Sequence, residues 1–156
     1  VIQAPYENNR SKGSLHQGGI HVPMIIGGAL VNRKGERDQS LIHTADLFST
    51  IAEAAGISES KYFNSQSFYN TLSNSTLSAR AYNYSEILDN DRPAKSGFTI
   101  RNEDHKLIVL DNNTYRFYDL KNDPYEKSNL MNGNLSNEQQ NILDKLIIEA
   151  SDLRKK

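Results

Sequence analysis

The sequence predicts a mixed α/β chain whose C-terminal part is α+β: a small four-stranded antiparallel sheet packed by a C-terminal helix. Three observations predict it. Residues 80–120 alternate apolar and polar side chains between turn signals. Residues 136–153 carry an apolar stripe at helical spacing. Met24-Ile25-Ile26 is a short continuous apolar run, followed by an amphipathic stretch from Thr44 to Ala55. That pairing suits one strand and one helix of a larger mixed sheet.

The elements follow in order. Residues 1–19 are polar and irregular and lead through Lys12-Gly13-Ser14-Leu15-His16-Gln17-Gly18-Gly19-Ile20-His21-Val22-Pro23. Met24–Ile26 reads as a strand buried on both faces, with Pro23 at its start where no ladder donor is needed. Residues 29–40 are charged (Arg33, Lys34, Glu36, Arg37, Asp38) and read as a solvated loop. Over 44–55, Leu47, Phe48, Ile51 and Ala55 form the inward face, Thr44 the N-cap and Gly56 the stop. Asp46 suits the positive end of that helix and is read as structural, not as a catalytic acid.

Residues 57–79 are rich in Ser, Asn and Thr and read as a linker with one short helix near Ser67–Leu72. The meander has strands around Phe98–Ile100, Leu107–Leu110 and Tyr115–Phe117, with a fourth at Ala81–Ile87. Asn102-Glu103-Asp104 and Asp111-Asn112-Asn113 supply its turns. Ser136 and Gln139 form a capping box, and Ile142, Leu143, Leu146, Ile147, Ala150 and Leu153 form the stripe behind it. The expected division is 1–60, a strand-and-helix end of an α/β domain; 61–79, a linker; and 80–156, the sheet with its helix.

Composition narrows the function classes. At 156 residues the chain is long enough for one ordinary domain. Its net charge of -1 gives no reason to expect nucleic acid or an anionic membrane as partner. No apolar run approaches the roughly 20 residues a membrane helix needs. Without cysteine there is no disulfide, thiolate metal site or cysteine nucleophile. No signal peptide is visible, and the chain starts without Met in a loop-like segment, as expected of a piece of a longer protein.

The Lys12 loop is the candidate site. Gly18 and Gly19 allow backbone conformations that residues with a Cβ avoid, and successive amides in such a turn can make an anion-binding nest. Lys12 adds a compact positive charge with three donors. The same residues also fit an ordinary surface loop with a solvated lysine. His16 lies in this loop as a candidate substrate contact. His21 reads as packing at the strand entry, His43 as polar surface and His105 as a strand start. No two histidines are spaced as His-x-x-x-His, and no Gly-x-Ser-x-Gly supports a serine triad.

The loop resembles the sulfatase-family segment Lys-Gly-Thr-Thr/Leu-Tyr/Trp-Glu-Gly-Gly-Val/Ile-Arg-Val-Pro. Lys12, Gly13, Gly18, Gly19, Ile20, Val22 and Pro23 match. His16 stands where an aromatic is usual, Gln17 where Glu is usual and His21 where Arg is usual. A second block agrees in the right order. Ile100-Arg101 with His105-Lys106-Leu107-Ile108 is similar to the family's Val/Ile-Arg…Tyr-Lys-Leu-Ile. Tyr118-Asp119-Leu120 with Asn122-Asp123-Pro124, Glu126, Asn129 and Leu130 is similar to its Tyr-Asp-Leu…Asp-Pro-x-Glu-x-x-Asn-Leu. The helix at 44–55, ending in Ala-Gly, also resembles the family's.

The resemblance implies the end of an alkaline-phosphatase-like α/β domain followed by the sulfatase C-terminal subdomain. It implies a parent that hydrolyses sulfate esters of a small molecule or glycan, in the periplasm or secreted, with Lys12 contacting the sulfate. Ca2+ and a formylglycine matured from Cys/Ser-x-Pro-x-Arg are implied for that parent. This chain has no such motif, and no Asp-Asn-Gly or Asp-His-Gly precedes Lys12, so alone it is expected to be inactive. Two alternatives share the scaffold: a phosphoester or phosphonate hydrolase, and a non-catalytic binding module. A strand and a helix face without neighbours lead us to expect the isolated chain to form a homo-oligomer or aggregate.

Overall fold

The computed structural model describes residues 5–57, 62–74 and 80–155. They form two compact units. One joins residues 5–22 to 84–155, and the other comprises the described residues from 23 to 83.

In the first unit, β1 (Asn83–Ile87), β2 (Gly97–Arg101), β3 (His105–Leu110) and β4 (Tyr115–Asp119) make one four-stranded sheet in the order β1-β2-β3-β4. β2 pairs antiparallel with β3 (Ile100 opposite Leu107), and β3 with β4 (Leu107 opposite Phe117, Lys106 opposite Tyr118). The two turns fall at Asn102–Asp104 and Asp111–Asn113, as the turn residues predict. Asn113 has a φ of 61°, a left-handed value that Asn tolerates better than most residues.

Side chains on a strand alternate between faces, so this register gives the sheet two distinct covers. Ile100, Leu107 and Phe117 share one face and are buried. The helix α3 (Asn137–Arg154) lies against β2 and β3, burying Leu143, Leu146 and Ala150, and Arg154 sits over the Phe98 ring. Its capping box forms as expected: Ser136 N–H donates to Gln139 Oε1 at 2.9 Å and Gln139 N–H to Ser136 Oγ at 3.2 Å. Ile147, predicted in the stripe, is exposed at the stripe's edge. The opposite face holds Ile108 and Tyr118, which pack with Leu120 and with Leu15 from the N-terminal segment.

The second unit departs from expectation. Met24–Ile26 forms no strand; Ile25 is 97 % exposed. A strand needs a neighbour for its backbone groups, and among the described residues none pairs with it. The helix α2 (Asp46–Ala54) forms, with Ala45 rather than Thr44 at its N-cap. It ends where predicted: Gly56, at φ 77°, donates to Glu53 O at 3.0 Å while Ile57 donates to Ala52 O at 2.9 Å. Its orientation is reversed. Asp46, Ser49 and Thr50 are buried, whereas Phe48 is 53 % and Ile51 64 % exposed.

Hydrogen bonds explain the reversal. The stretch 62–74 runs beside the polar face of α2, with a 3-10 turn at Tyr69–Leu72. Ser65 Oγ accepts from Ser49 N–H at 3.1 Å, and Thr50 Oγ1 accepts from Phe68 N–H at 3.0 Å. Asp46 accepts from Gln66 and His43 backbone amides and from the Arg80 guanidinium. Arg33, in the segment expected to be a solvated loop, is another centre. It pairs with Glu36 and Asp38 and donates to Thr71 O at 2.8 Å.

Candidate functional site

The Lys12 loop belongs to the first unit. The chain enters by a 3-10 turn at Asn8–Arg10, and buried Ser11 fixes it by donating to Glu7 O at 2.7 Å. Lys12 is exposed, and among the described residues no carboxylate pairs with it. Gly13 follows at φ 75°, a conformation that favours glycine. Leu15 and His16 then turn inward, and Gln17–Ile20 forms one short helical turn, α1.

The glycine pair serves a purpose other than the predicted one. Neither Gly18 nor Gly19 has a positive φ. Each is needed for space. A Cβ on Gly18 would stand 2.5 Å from Arg10 O, and one on Gly19 would stand 2.2 Å from Ser14 O. The short helix therefore packs backbone to backbone on the loop that carries Lys12.

The amides of Gln17, Gly19, Ile20 and His21 are already engaged. Gly19 and Ile20 donate to His16 O, and His21 donates to Gln17 O. Gln17 N–H donates to Glu126 Oε2 at 2.6 Å. An anion does sit at this backbone corner, and it is a carboxylate of the chain itself. Glu126 is buried, and its other oxygen lies 2.7 Å from Lys106 Nζ, also buried. Arg10 donates to the Glu126 carbonyl, and Gln17 Oε1 lies 3.4 Å from Lys106 Nζ. Burial pushes the Lys106 ammonium down to about 8, with Glu126 pulling the other way.

Lys106 and Glu126 lie in the sequence blocks that resemble the family, where spacing alone assigns them no role. A lysine at an inward position of an apolar strand was the available signal. Its partner lies in a turn with φ 57°, which no sequence period marks.

His16 is placed differently from the expectation. Its ring is 4 % exposed, with its centroid 6.0 Å from that of Tyr118, and Nε2 lies 3.5 Å from the Tyr118 hydroxyl. Burial, with positive Lys106, Arg116 and Arg10 nearby, lowers its pKa to about 3. The ring is neutral at ordinary pH and packs as an aromatic does. Lys12 faces solvent and His16 faces the sheet, so the two do not form a pair of anion ligands.

The donor set does not fit a calcium ion or a formylglycine. Among the described residues no three His, Asp or Glu side chains converge as metal ligands, and the sequence offers no Cys or Ser-x-Pro-x-Arg.

Comparisons with known proteins agree with this architecture. Residues 10–156 match a family described as N-sulphoglucosamine sulphohydrolase, C-terminal. No curated protein matches the chain by sequence. Among solved structures, it is similar to a putative sulfatase from Bacteroides thetaiotaomicron VPI-5482, at 25 % identity and a TM-score of 0.57, over 69 % of this chain and 23 % of that one. It is also similar in fold to BT4656, solved with its substrate D-glucosamine-2-N,6-O-disulfate (24 % identity, TM-score 0.55, 70 % and 23 % covered). A third is BT1596, a 2-O GAG sulfatase (24 % identity, TM-score 0.60, 82 % and 30 % covered). The chain thus spans about a quarter of the length of these structures.

Proposed function

Because this chain belongs to the N-sulphoglucosamine sulphohydrolase C-terminal family, we propose that it is the C-terminal part of a sulfatase acting on a sulfated sugar, with Lys12 contacting the sulfate. The observation that carries this reading is the contrast within the loop. Ser11, Leu15, His16 and Gln17 are buried and fixed, while Lys12 between them projects an uncompensated ammonium. A charge held on a fixed backbone is what a transition state with growing negative charge can use. The substrates of similar structures, a disulfated glucosamine and a glycosaminoglycan, support a sulfated sugar as the class.

The chemistry assigned to Lys12 follows from charge placement. Cleavage of a sulfate ester builds negative charge on the oxygen that leaves. An ammonium already beside that oxygen stabilises the transition state more than the ground state. Lys12 is the one group of this chain to which the reading gives a catalytic contact. His16 supports the loop from beneath. The apolar outer face of α2 is assigned to packing against the rest of the longer enzyme.

The test is Lys12→Ala in the full-length sulfatase, assayed on an aryl sulfate with an aryl phosphate in parallel. Loss of one preorganised donor typically lowers kcat by on the order of a hundredfold. A kcat/KM within about twofold of the parent makes the loop structural, since that is under roughly half a kcal/mol of transition-state stabilisation. Higher activity on the phosphate than on the sulfate assigns the scaffold to a phosphohydrolase instead. No activity on either, with the fold intact, assigns it to a binding module.

A further inference from the structure

We propose that Glu126 is a positioning residue for Lys12: it clamps the Lys12 loop onto the antiparallel sheet, and Lys106 is the buried counter-charge that keeps its carboxylate in place. The inference rests on the assignment of Lys12 to sulfate. It goes beyond that assignment by giving the C-terminal turn a part in setting the site.

Three contacts converge on this one residue. Glu126 Oε2 accepts the Gln17 amide at 2.6 Å, at the first residue of α1. Its main-chain carbonyl accepts from the Arg10 guanidinium, on the other side of Lys12. Its Oε1 meets Lys106 Nζ at 2.7 Å. The loop from Arg10 to Gln17 is therefore gripped at both ends by a residue more than a hundred positions later in the chain. Lys106 stands on β3 opposite Tyr118 of β4, so the clamp is anchored in the middle of the sheet.

The local backbone supports a dedicated role. Glu126 adopts φ 57°, an uncommon conformation for a residue with a long side chain. Asp123 shapes that turn: its carbonyl accepts from Glu126 N–H at 3.1 Å and its Oδ2 accepts from Ser128 N–H at 2.8 Å. Buried carboxylates are costly unless paired and hydrogen-bonded, and this one is both. A bare charge partner for Lys106 would not need to reach the Gln17 amide.

Hydrogen exchange on this chain separates the two roles. In the unsubstituted chain the Gln17 amide should exchange with the slow amides of β3 and not at the rate of Lys12 and Gly13. Exchange as fast as Lys12 overturns the clamp without any variant. Glu126→Ala with Lys106→Met removes both charges and the acceptor. Sheet protection should persist while protection at Gln17 falls at least tenfold. Glu126→Gln with Lys106→Met restores an acceptor and should restore Gln17 protection. If both double variants protect Gln17 equally, Glu126 serves only to neutralise Lys106 and the proposal fails.

The same pairs in the full-length sulfatase read the consequence for catalysis. The Ala pair should lower kcat far more than it raises KM, by up to about a hundredfold, the order expected of an ångström-scale misplacement. The Gln pair should recover most of it. Lys12→Ala in parallel distinguishes the failures. If it leaves kcat unchanged, the sulfate assignment is wrong, and exchange at Gln17 still decides the clamp. If it lowers kcat while the Ala pair does not, the clamp does not position Lys12.

Discussion

Arg80 Nε donates to Asp46 Oδ2 at 2.6 Å across 34 residues of sequence, and the Asp46 carboxylate is fully buried. The same carboxylate accepts the backbone amides of His43 at 2.7 Å and Gln66 at 2.8 Å. One side chain thus holds the start of α2, the 62–74 stretch and Arg80 together. Removing the charge leaves a guanidinium and two amides to be satisfied by a weaker acceptor. Asp46→Ala should destabilise the second unit by about 3–5 kcal/mol, as breaking a buried pair does. Urea unfolding checks this, and a change below about 1 kcal/mol would show that water replaces the carboxylate freely.

The pair also has a pH sign. Burial alone would raise the Asp46 carboxyl, but Arg80 and the two amides outweigh it and hold it below the usual range. Its contribution is present above the unfolded value near 3.8 and is lost as pH falls through the lower folded value. The second unit should therefore lose stability below about pH 4, and Asp46→Ala should lack that step in an acid titration followed by circular dichroism.

His16 gives the first unit a different window. Its folded pKa of about 3 lies below the model-peptide value of 6.5. As pH falls, the unfolded chain takes up the proton first. Stability is full above 6.5 and declines toward 3, by at most about 1.4 kcal/mol per pH unit. His16→Phe keeps an aromatic beside Tyr118 and removes the titration. Thermal midpoints of the two proteins between pH 7 and 4 should diverge; parallel curves would show that the folded ring protonates freely.

The glycines of the Lys12 loop should differ in their cost. Gly13→Ala meets open space and only a left-handed φ, a penalty of roughly 1–2 kcal/mol. Gly19→Ala drives a Cβ to 2.2 Å from Ser14 O and 2.7 Å from Ser11 O, both main chain. It should displace the loop, seen as shifted amide resonances from Ser11 to Gln17 in NMR spectra. Shifts confined to residue 19 itself would mean the contact relaxes easily.

The outer face of α2 should drive self-association of the isolated chain. Phe48 and Ile51 are exposed there, and the Phe48 ring lies 4.7 Å from that of Tyr62, which in turn meets Phe63. Light scattering should show an average mass that rises with concentration. Phe48→Glu with Ile51→Lys should abolish the rise. A monomer at all concentrations, with α2 still helical, speaks against this expectation.

The meander and α3 were legible because their signals are local. Alternation around Phe98–Ile100, the Asn-rich turns and the Ser136–Gln139 box each act within a few residues. The inward face of α2 was misread because periodicity reports an apolar stripe without saying what covers it. Here Ser65, Gln66 and Phe68 bring hydrogen-bond partners to the opposite, polar face, and tertiary bonding outweighs the apolar stripe. At the site, Lys12 was legible as a motif. The grip of Glu126 on Gln17 was not, since a contact between residues 109 apart leaves no trace in spacing.

That separation bears on the order of folding. The sheet joins strands by short turns and can assemble from local pairings, whereas the Lys12 segment has no packing surface until β3 and β4 have been made and no clamp until the chain reaches residue 126. Closing so long a loop is slow to reward, so the N-terminal segment should dock after β3 and β4 have paired. Within this chain it is made before the sheet and finds its place after it. The residue given the catalytic contact would then be among the last to acquire its native surroundings, and a chain stalled before Glu126 would carry Lys12 on a segment not yet clamped to the sheet.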